Sequence, residues 1–232
     1  MTPSPSPSAT SHISEGRRHD TSSYTAAIAS SLLSAGPRIV YSKSFPGSTP
    51  ALVIISLDPD GQSVYKESAE DDFPIKMALR KEDTDAIFAL TAKVDHFKRP
   101  LESGLPVAKM GEKTFRWEDG DTKNEVKFNY SQDPDAKIIH DWFEKITETA
   151  QHYIAMERTV KFDKLGVNKA LLQFQAAMER GRLTGLEVFL PLLDRVVKND
   201  SYLHMARERA GVVAETIRNP KPAAAAGKPE VQ

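Results

Sequence analysis

The spacing of apolar residues divides the chain into a first stretch with a period of two and a second with a period of three to four. In the first, "RIVYS" sets Ile39 and Tyr41 in one parity. "ALVIISL" is a continuous run rich in β-branched residues, which predicts a strand covered on both faces or central in its sheet. "DPDG", Asp58 to Gly61, supplies turn chemistry before "QSVYKE", so these two runs predict a hairpin with a four-residue connection. "FPIKMAL" alternates Phe73, Ile75, Met77 and Leu79, a strand with one buried face. Pro74 has no N–H to donate and places that strand at an edge or at its own start. A second hairpin follows from "KTFRW" and "EVKFNY" around the polar "EDGDTKN". Phe115 and Trp117 share one face of its first arm, and Val126, Phe128 and Tyr130 one face of its second.

Two helices interrupt the strands. "KEDTDAIFALTAKVDHF" spaces Ile87, Leu90, Val94 and Phe97 helically, with acids in the first turn, where the backbone dipole favours them. In "DPDAKIIHDWFEKITETAQHYI", Asp133 is a natural N-cap, Pro134 suits the first helical position, and Ile138, Ile139, Trp142, Phe143 and Ile146 form an apolar stripe. This helix is expected to be long and to run on toward Val160.

Beyond it the pattern is helical throughout. "VNKALLQFQAAMERG" places Leu171, Leu172, Phe174 and Met178 on one side and stops near Gly181. "TGLE", Thr184 to Glu187, matches a capping box opening "VFLPLLDRVVK", where Pro191 bends the helix or displaces its start. "SYLHMARERAGVVAETIR" spaces Leu203, Ala206, Ala210, Val213 and Ile217 along one face and ends at Asn219-Pro220. The order of elements predicts an α+β fold: a mostly antiparallel sheet of five or six strands covered by two helices, then a C-terminal bundle of about three helices. In domain terms this gives a sheet domain over 37–160 and a helical region over 161–218. The tails 1–36 and 219–232, rich in Pro, Ser, Ala and Gly, have too little apolar surface to offset their ordering entropy.

Composition narrows the function classes. Lys and Arg total 31 against 32 Asp and Glu, a formal net charge of −1, so no overall field recruits nucleic acid or an acidic membrane. The chain has no cysteine, which excludes disulfides, thiolate metal sites and a Cys nucleophile. No window approaches the length of a membrane-spanning apolar run. Arg17 and Arg18 precede a mildly apolar segment over 24–35 with a small-residue exit. Compartment is therefore open between the cytoplasm and, if that segment acts as an export signal, the periplasm.

"IVYSKSFPGSTPALVIISLDPDGQSVYKE", with the subsequent helix, hairpin and helix, resembles a group of uncharacterised bacterial domains over about Arg38 to His152. Their pattern is a strand, R-T-G-C-F-G-x-C-P, a second strand, a D-G turn and an aromatic-bearing third strand. Ser44 to Pro50 occupies the C-F-G-x-C-P position with one extra residue, and Asp60-Gly61 the D-G turn. Ser44 and Thr49 stand where that group carries cysteines, so a redox or metal role of such a pair does not transfer. The resemblance implies a fold and no activity.

Two loops carry the candidate chemistry. In the first, Ser44, Phe45, Gly47, Ser48 and Thr49 combine a glycine that permits close approach, stiffening prolines, and hydroxyls beside successive N–H groups, the makings of an anion nest. The same residues also suffice for a bare connection that anchors Phe45 in the core. In the second, "HFKRPLESGLPVAKMGEK", Arg99, Lys109 and Lys113 offer cations to an acidic ligand, or simply a solvated surface. The six histidines form no i, i+4 pair with an accompanying acid of the kind a helical zinc site displays, so no metal or cofactor is expected. Phe115, Trp117, Phe128 and Tyr130 serve either as core between sheet and helices or as a stacking platform. The favoured expectation is a non-enzymatic protein-interaction or inhibitor-like module with another protein as partner. The alternatives are an enzyme of unrecognised type at loops 43–50 and 98–113, and a single-stranded nucleic-acid binder using the sheet aromatics.

Overall fold

The computed structural model describes residues 36–220, so residues 1–35 and 221–232 of the expected tails, with the 24–35 segment, His12 and His19, lie outside the described residues. Strands β1 (Arg38–Ser44), β2 (Leu52–Leu57), β3 (Gln62–Lys66) and β4 (Ile75–Ala78) are followed by helix α1 (Lys81–Lys93). Strands β5 (Glu112–Asp119) and β6 (Thr122–Phe128) come next. Helices α2 (Pro134–Phe162), α3 (Val167–Glu179), α4 (Leu190–Val197) and α5 (His204–Arg218) complete the order. The strands form one six-stranded sheet, ordered β4-β3-β2-β1-β5-β6 and antiparallel at every pairing. The α+β class, the antiparallel sheet and the C-terminal helices are as the pattern predicts.

Register turns that pattern into a layer. Tyr41 pairs with Ile55 on one side and Phe115 on the other, and Ile39 with Leu57 and Trp117, so the large apolar residues of three strands share one face. Helices α1 and α2 cover that face: Tyr41 stacks on Phe143 of α2 at 4.9 Å between ring centroids, and Phe88 of α1 meets Trp117 edge-on. Phe115, Trp117 and Phe128 are interior, so the core reading of the sheet aromatics holds for these three. Tyr130 lies past the end of β6 and is half-exposed. Between α1 and β5 a short 3-10 turn, Asp95–Phe97, carries three consecutive non-glycine residues at positive φ, a costly conformation. It lays Phe97 flat on Phe115 at 4.9 Å and turns the His96 carbonyl to accept from the Asn124 amide.

Helix α2 is 29 residues long, about 44 Å at the usual rise, and it is a wall of two cores. Asp133 caps it, accepting from the Ala136 N–H at 3.0 Å, and Pro134 takes the first turn as the sequence predicts. Its first half, with Ile139, Phe143 and Ile146, closes the sheet core. Its second half, with Met156 and Val160, joins Leu171, Phe174, Phe189, Leu193 and Val213 in a helical core. Tyr202 ties α5 to this wall by donating its buried hydroxyl to the Val160 carbonyl at 2.8 Å.

Several side chains depart from the expected faces. Phe73 is 90% exposed because β4 begins only at Ile75, so the alternation that includes Phe73 outruns the strand. Ile138 and Leu172 are exposed beside buried Ile139 and Leu171: adjacent helical residues point about 100° apart, and these two fall outside the stripe that each helix buries. Leu203 precedes α5 and is likewise exposed. The second hairpin is tighter than expected, since β5 and β6 continue to Asp119 and Thr122. "TGLE" forms no capping box. The Thr184 N–H donates instead to the buried Thr149 hydroxyl of α2, and Gly185, at φ +61°, passes so close to the β4 backbone that a Cβ would sit 3.1 Å from the Ala78 carbonyl oxygen. A 3-10 turn, Leu186–Phe189, follows, and Pro191 displaces the start of α4 to Leu190.

If α2 holds the sheet core as described, Phe143→Ala removes the ring on which Tyr41 and Phe115 pack. We expect it to lower unfolding free energy by about 3–5 kcal/mol in a urea titration, and a loss below 1 kcal/mol would contradict the packing.

Candidate functional site

The inner face of the sheet changes character one step beyond its aromatic row. Lys43 follows Tyr41 in the same parity of β1, Lys113 precedes Phe115 in the same parity of β5, and the two lysines are direct cross-strand partners. Like charges opposite one another on an antiparallel pair are unfavourable, so this row needs compensation. Helix α2 supplies it. Glu144, one residue after the buried Phe143, accepts from Lys43 Nζ at 3.1 and 3.4 Å and from the Tyr41 hydroxyl at 3.1 Å. His140, one turn earlier, sets its buried Nε2 3.3 Å from the same Glu144 oxygen without an aligned hydrogen bond.

Burial is the largest single effect on the Glu144 carboxyl and pushes its pKa up. The contact with His140 and the charge and hydrogen bond of Lys43 together outweigh it and hold the group at about 2. Tyr41 is driven far above its ordinary range, first by burial and then by the neighbouring carboxylate. Lys113 is pushed down, first by burial and then by repulsion from Lys43, against the more distant pull of Glu144 and Glu102. Its ammonium donates to the Asn129 carbonyl at 2.7 Å and more weakly to the Gly111 carbonyl at 3.4 Å.

Asn129, just past β6, organises the loop above. Its side chain accepts from the Met110 N–H at 2.9 Å and donates to the Ala108 carbonyl at 3.0 Å, while its own N–H is held by Glu102 at 2.6 Å. The loop before β5 is thereby pinned over Lys113. Gly111, at φ +93°, packs so tightly that a Cβ there would lie 2.9 Å from Phe45 Cβ, which brings the two loops singled out in the sequence together.

Three hollows surround this junction. A cavity of about 560 Å³ lies between the Val107–Met110 segment, Phe128, Tyr130 and α2, with Lys43, Lys113, His140 and Glu144 in its lining. A second, about 470 Å³, shares Lys43 and Glu144 and continues along α2 beneath Phe45, Ser48 and Thr49 to Arg182. A third, about 620 Å³, separates Ser44 and Phe45 from Lys109 and Glu112.

Of the residues expected from sequence, Ser44, Phe45 and Lys109 meet in the third hollow, Ser48 and Thr49 border the second, and Lys113 lines the first. Phe45 is 38% exposed at the rim, so it does not anchor in the core. Gly47 takes φ +89° with open space beyond it. The one hydroxyl proton of Ser48 is shared between the Phe45 and Pro50 carbonyls, at 2.7 and 2.6 Å, and its N–H donates to the Phe45 carbonyl, which leaves neither for an anion nest. Arg99 bonds Asp133 at the α2 cap and stands apart from the other seven. Sequence reasoning passed over Glu144 and Asn129, reached Lys43 only as the first residue of the loop 43–50, and weighed His140 only as a metal ligand before setting it aside. The available signal was parity: a lysine follows Ile39 and Tyr41, and another precedes Phe115 and Trp117, in positions that face inward.

Among the described residues no cluster of three or more His, Asp or Glu side chains suits a metal ion, and no helix is long and apolar enough to cross a membrane.

Because the Glu144 carboxyl has a folded pKa below its ordinary 4.5, the stability it contributes is fully present above about pH 4.5 and is lost as pH falls through about 2. Glu144→Gln should therefore flatten part of the acid-side loss of stability in that window. At neutral pH it should cost about 1.5–3 kcal/mol, since Lys43 loses a charged partner. Urea midpoints measured from pH 7 to pH 2 decide this, and an unchanged acid slope would remove Glu144 from its role.

No protein-family model matches the chain, and no curated protein matches it.

Proposed function

We propose that the protein is a non-enzymatic interaction module that receives a segment of another protein at the junction of its two loops. The segment it suits carries a bulky apolar side chain beside an acidic one. The observation that carries this reading is exposed apolar surface on both loops: Phe45 is 38% exposed beside the hollow that holds Lys43, Val107 and Met110 are 41 and 61% exposed in the wall of the cavity that holds Lys43 and Lys113, and Leu105, on the same loop as those two, is 44% exposed. Exposed apolar side chains gathered from two loops around fixed charges are the composition of a recognition surface. Charge favours an acidic occupant, since the lining carries Lys43, Lys113 and Lys137 against the one carboxylate of Glu144.

The enzymatic alternative at the same loops gains their convergence but has a weaker chemical basis. A general base works best with a pKa near the operating pH, and Glu144 is held at about 2 with its oxygens engaged by Tyr41 and Lys43. The nucleic-acid alternative needs the sheet aromatics as a platform, and Phe115, Trp117 and Phe128 are covered by helices.

Display of a random peptide library against the full chain tests the proposal. We expect enrichment of segments pairing Leu, Phe or Trp with Asp or Glu. The double variant Phe45→Asp, Leu105→Asp should bind them at least about tenfold more weakly, as removal of rim anchors predicts. No enrichment, or equal binding by the variant, would overturn it.

A further inference from the structure

We propose that the cavity of about 560 Å³ over Lys113 is a binding site for a small molecule with one carboxylate on an apolar body, the carboxylate seated against the Lys113 ammonium. This goes beyond the peptide-binding reading: it shares Lys113, Val107 and Met110 with that surface but needs neither Phe45 nor Leu105, so it stands or falls separately.

Charge pairing points to an anion. Lys43 has its counter-ion in Glu144 at 3.1 Å, whereas Lys113, only 7% exposed, has no carboxylate within ion-pair distance among the described residues. A buried ammonium without a counter-ion is unfavourable, and replacement by an apolar side chain would ordinarily be neutral or stabilising. Donor counting agrees. An ammonium has three N–H donors, and the two carbonyl bonds of Lys113, one of them long, leave a third unused.

The walls and the volume specify the rest. Val107, Ala108, Met110, Phe128 and Ala136 make the lining chiefly apolar, and the cavity falls within the range of about 300–1,000 Å³ usual for small-molecule sites. One buried, uncompensated ammonium matches a monoanion. Lys137, the third lysine of the lining, is exposed and its ammonium lies 5.3 Å from the Tyr130 ring centroid, so a phosphate dianion would bring a second negative charge toward Glu144 with only that solvated cation to answer it. A carboxylate between the facing lysines also relieves their mutual repulsion across the β1–β5 pair.

Octanoate, 1-octanol and acetate, titrated calorimetrically into the full chain, separate head from tail. Octanoate should bind at one saturable site, with 1-octanol and acetate each at least about tenfold weaker, the first lacking the charge-assisted bond and the second the apolar burial. Lys113→Met should bring octanoate down to the octanol level while cooperative thermal unfolding is kept, and Lys113→Arg should retain octanoate binding. Ala108→Trp, on the exposed loop, fills the cavity without entering the core and should abolish binding of both eight-carbon probes. Absence of octanoate binding, octanol bound as tightly as octanoate, or unchanged binding by Ala108→Trp would overturn the proposal. Octanoate binding retained by the Phe45→Asp, Leu105→Asp variant alongside loss of peptide binding would show the two readings to be independent.

Discussion

The register between β1 and β5 is the constraint on which the rest of this molecule depends. It sets Tyr41 against Phe115 and, two residues on, Lys43 against Lys113, all on the face that α2 covers. Side chains alternate across a strand, so a slip by one residue would send the aromatic row to solvent and the lysines with it. Core and cleft are therefore one structural decision. The apolar burial that fixes the aromatic row also fixes where two ammonium groups face each other.

Helix α2 couples that decision to the remainder of the chain. Phe143 and Glu144 are neighbours on it, the first stacked on Tyr41 and the second bonded to the Tyr41 hydroxyl, so one tyrosine is held by its ring and by its oxygen from the same helical turn. Four residues later Glu148 accepts from Arg182 at 3.1 Å, and Asp141 accepts from the same guanidinium at 2.7 Å, which ties the α3–α4 connection to the side of the helix that borders the second hollow. Farther along, the helix enters the second core through Met156 and Val160. A single long element thus carries the acid that compensates the lysines, the anchor for the connection and part of two apolar clusters. Such an element is difficult to shift without disturbing all of them.

Much of the fold was legible because it is written locally. Asp133-Pro134 marks the start of α2, Gly61 and the DPDG turn close the first hairpin, and alternation in KTFRW and EVKFNY gives the second. Where the reading failed, the cause was tertiary or geometric. Both Ile138 and Ile139 are apolar, and the helix buries some adjacent pairs, such as Ile146 and Thr147, so local sequence does not say that Ile138 falls outside the buried stripe. Thr184 has the chemistry of a cap, yet its backbone is claimed by Thr149, 35 positions away. The site was harder still. Lys43 and Glu144 are 101 positions apart, so no spacing rule connects them, and Lys113 was selected as part of a charged loop when its significance lies in strand parity. The loop residues drew attention through composition, which identifies turns well and says little about which hydroxyls remain free. Ser48 shows this, with its donors already satisfied inside its own turn.

The contrast between the two facing lysines separates stability from function. Lys43 is explained by the fold: it pairs with Glu144 and helps hold α2 against β1. Lys113 occupies an equivalent position across the ladder, is more deeply buried, repels its neighbour and bonds only neutral carbonyls. A methionine or leucine there would extend the aromatic row with less electrostatic cost. Residues that break the local logic of a core without a compensating gain tend to mark sites whose partner lies outside the chain. Asn129 strengthens this argument, because the same residue that supplies the Lys113 carbonyl partner also pins the loop that forms the cavity wall. The arrangement therefore maintains both the charge and the space beside it, and a hydrophobic core maintained for stability alone would close that space.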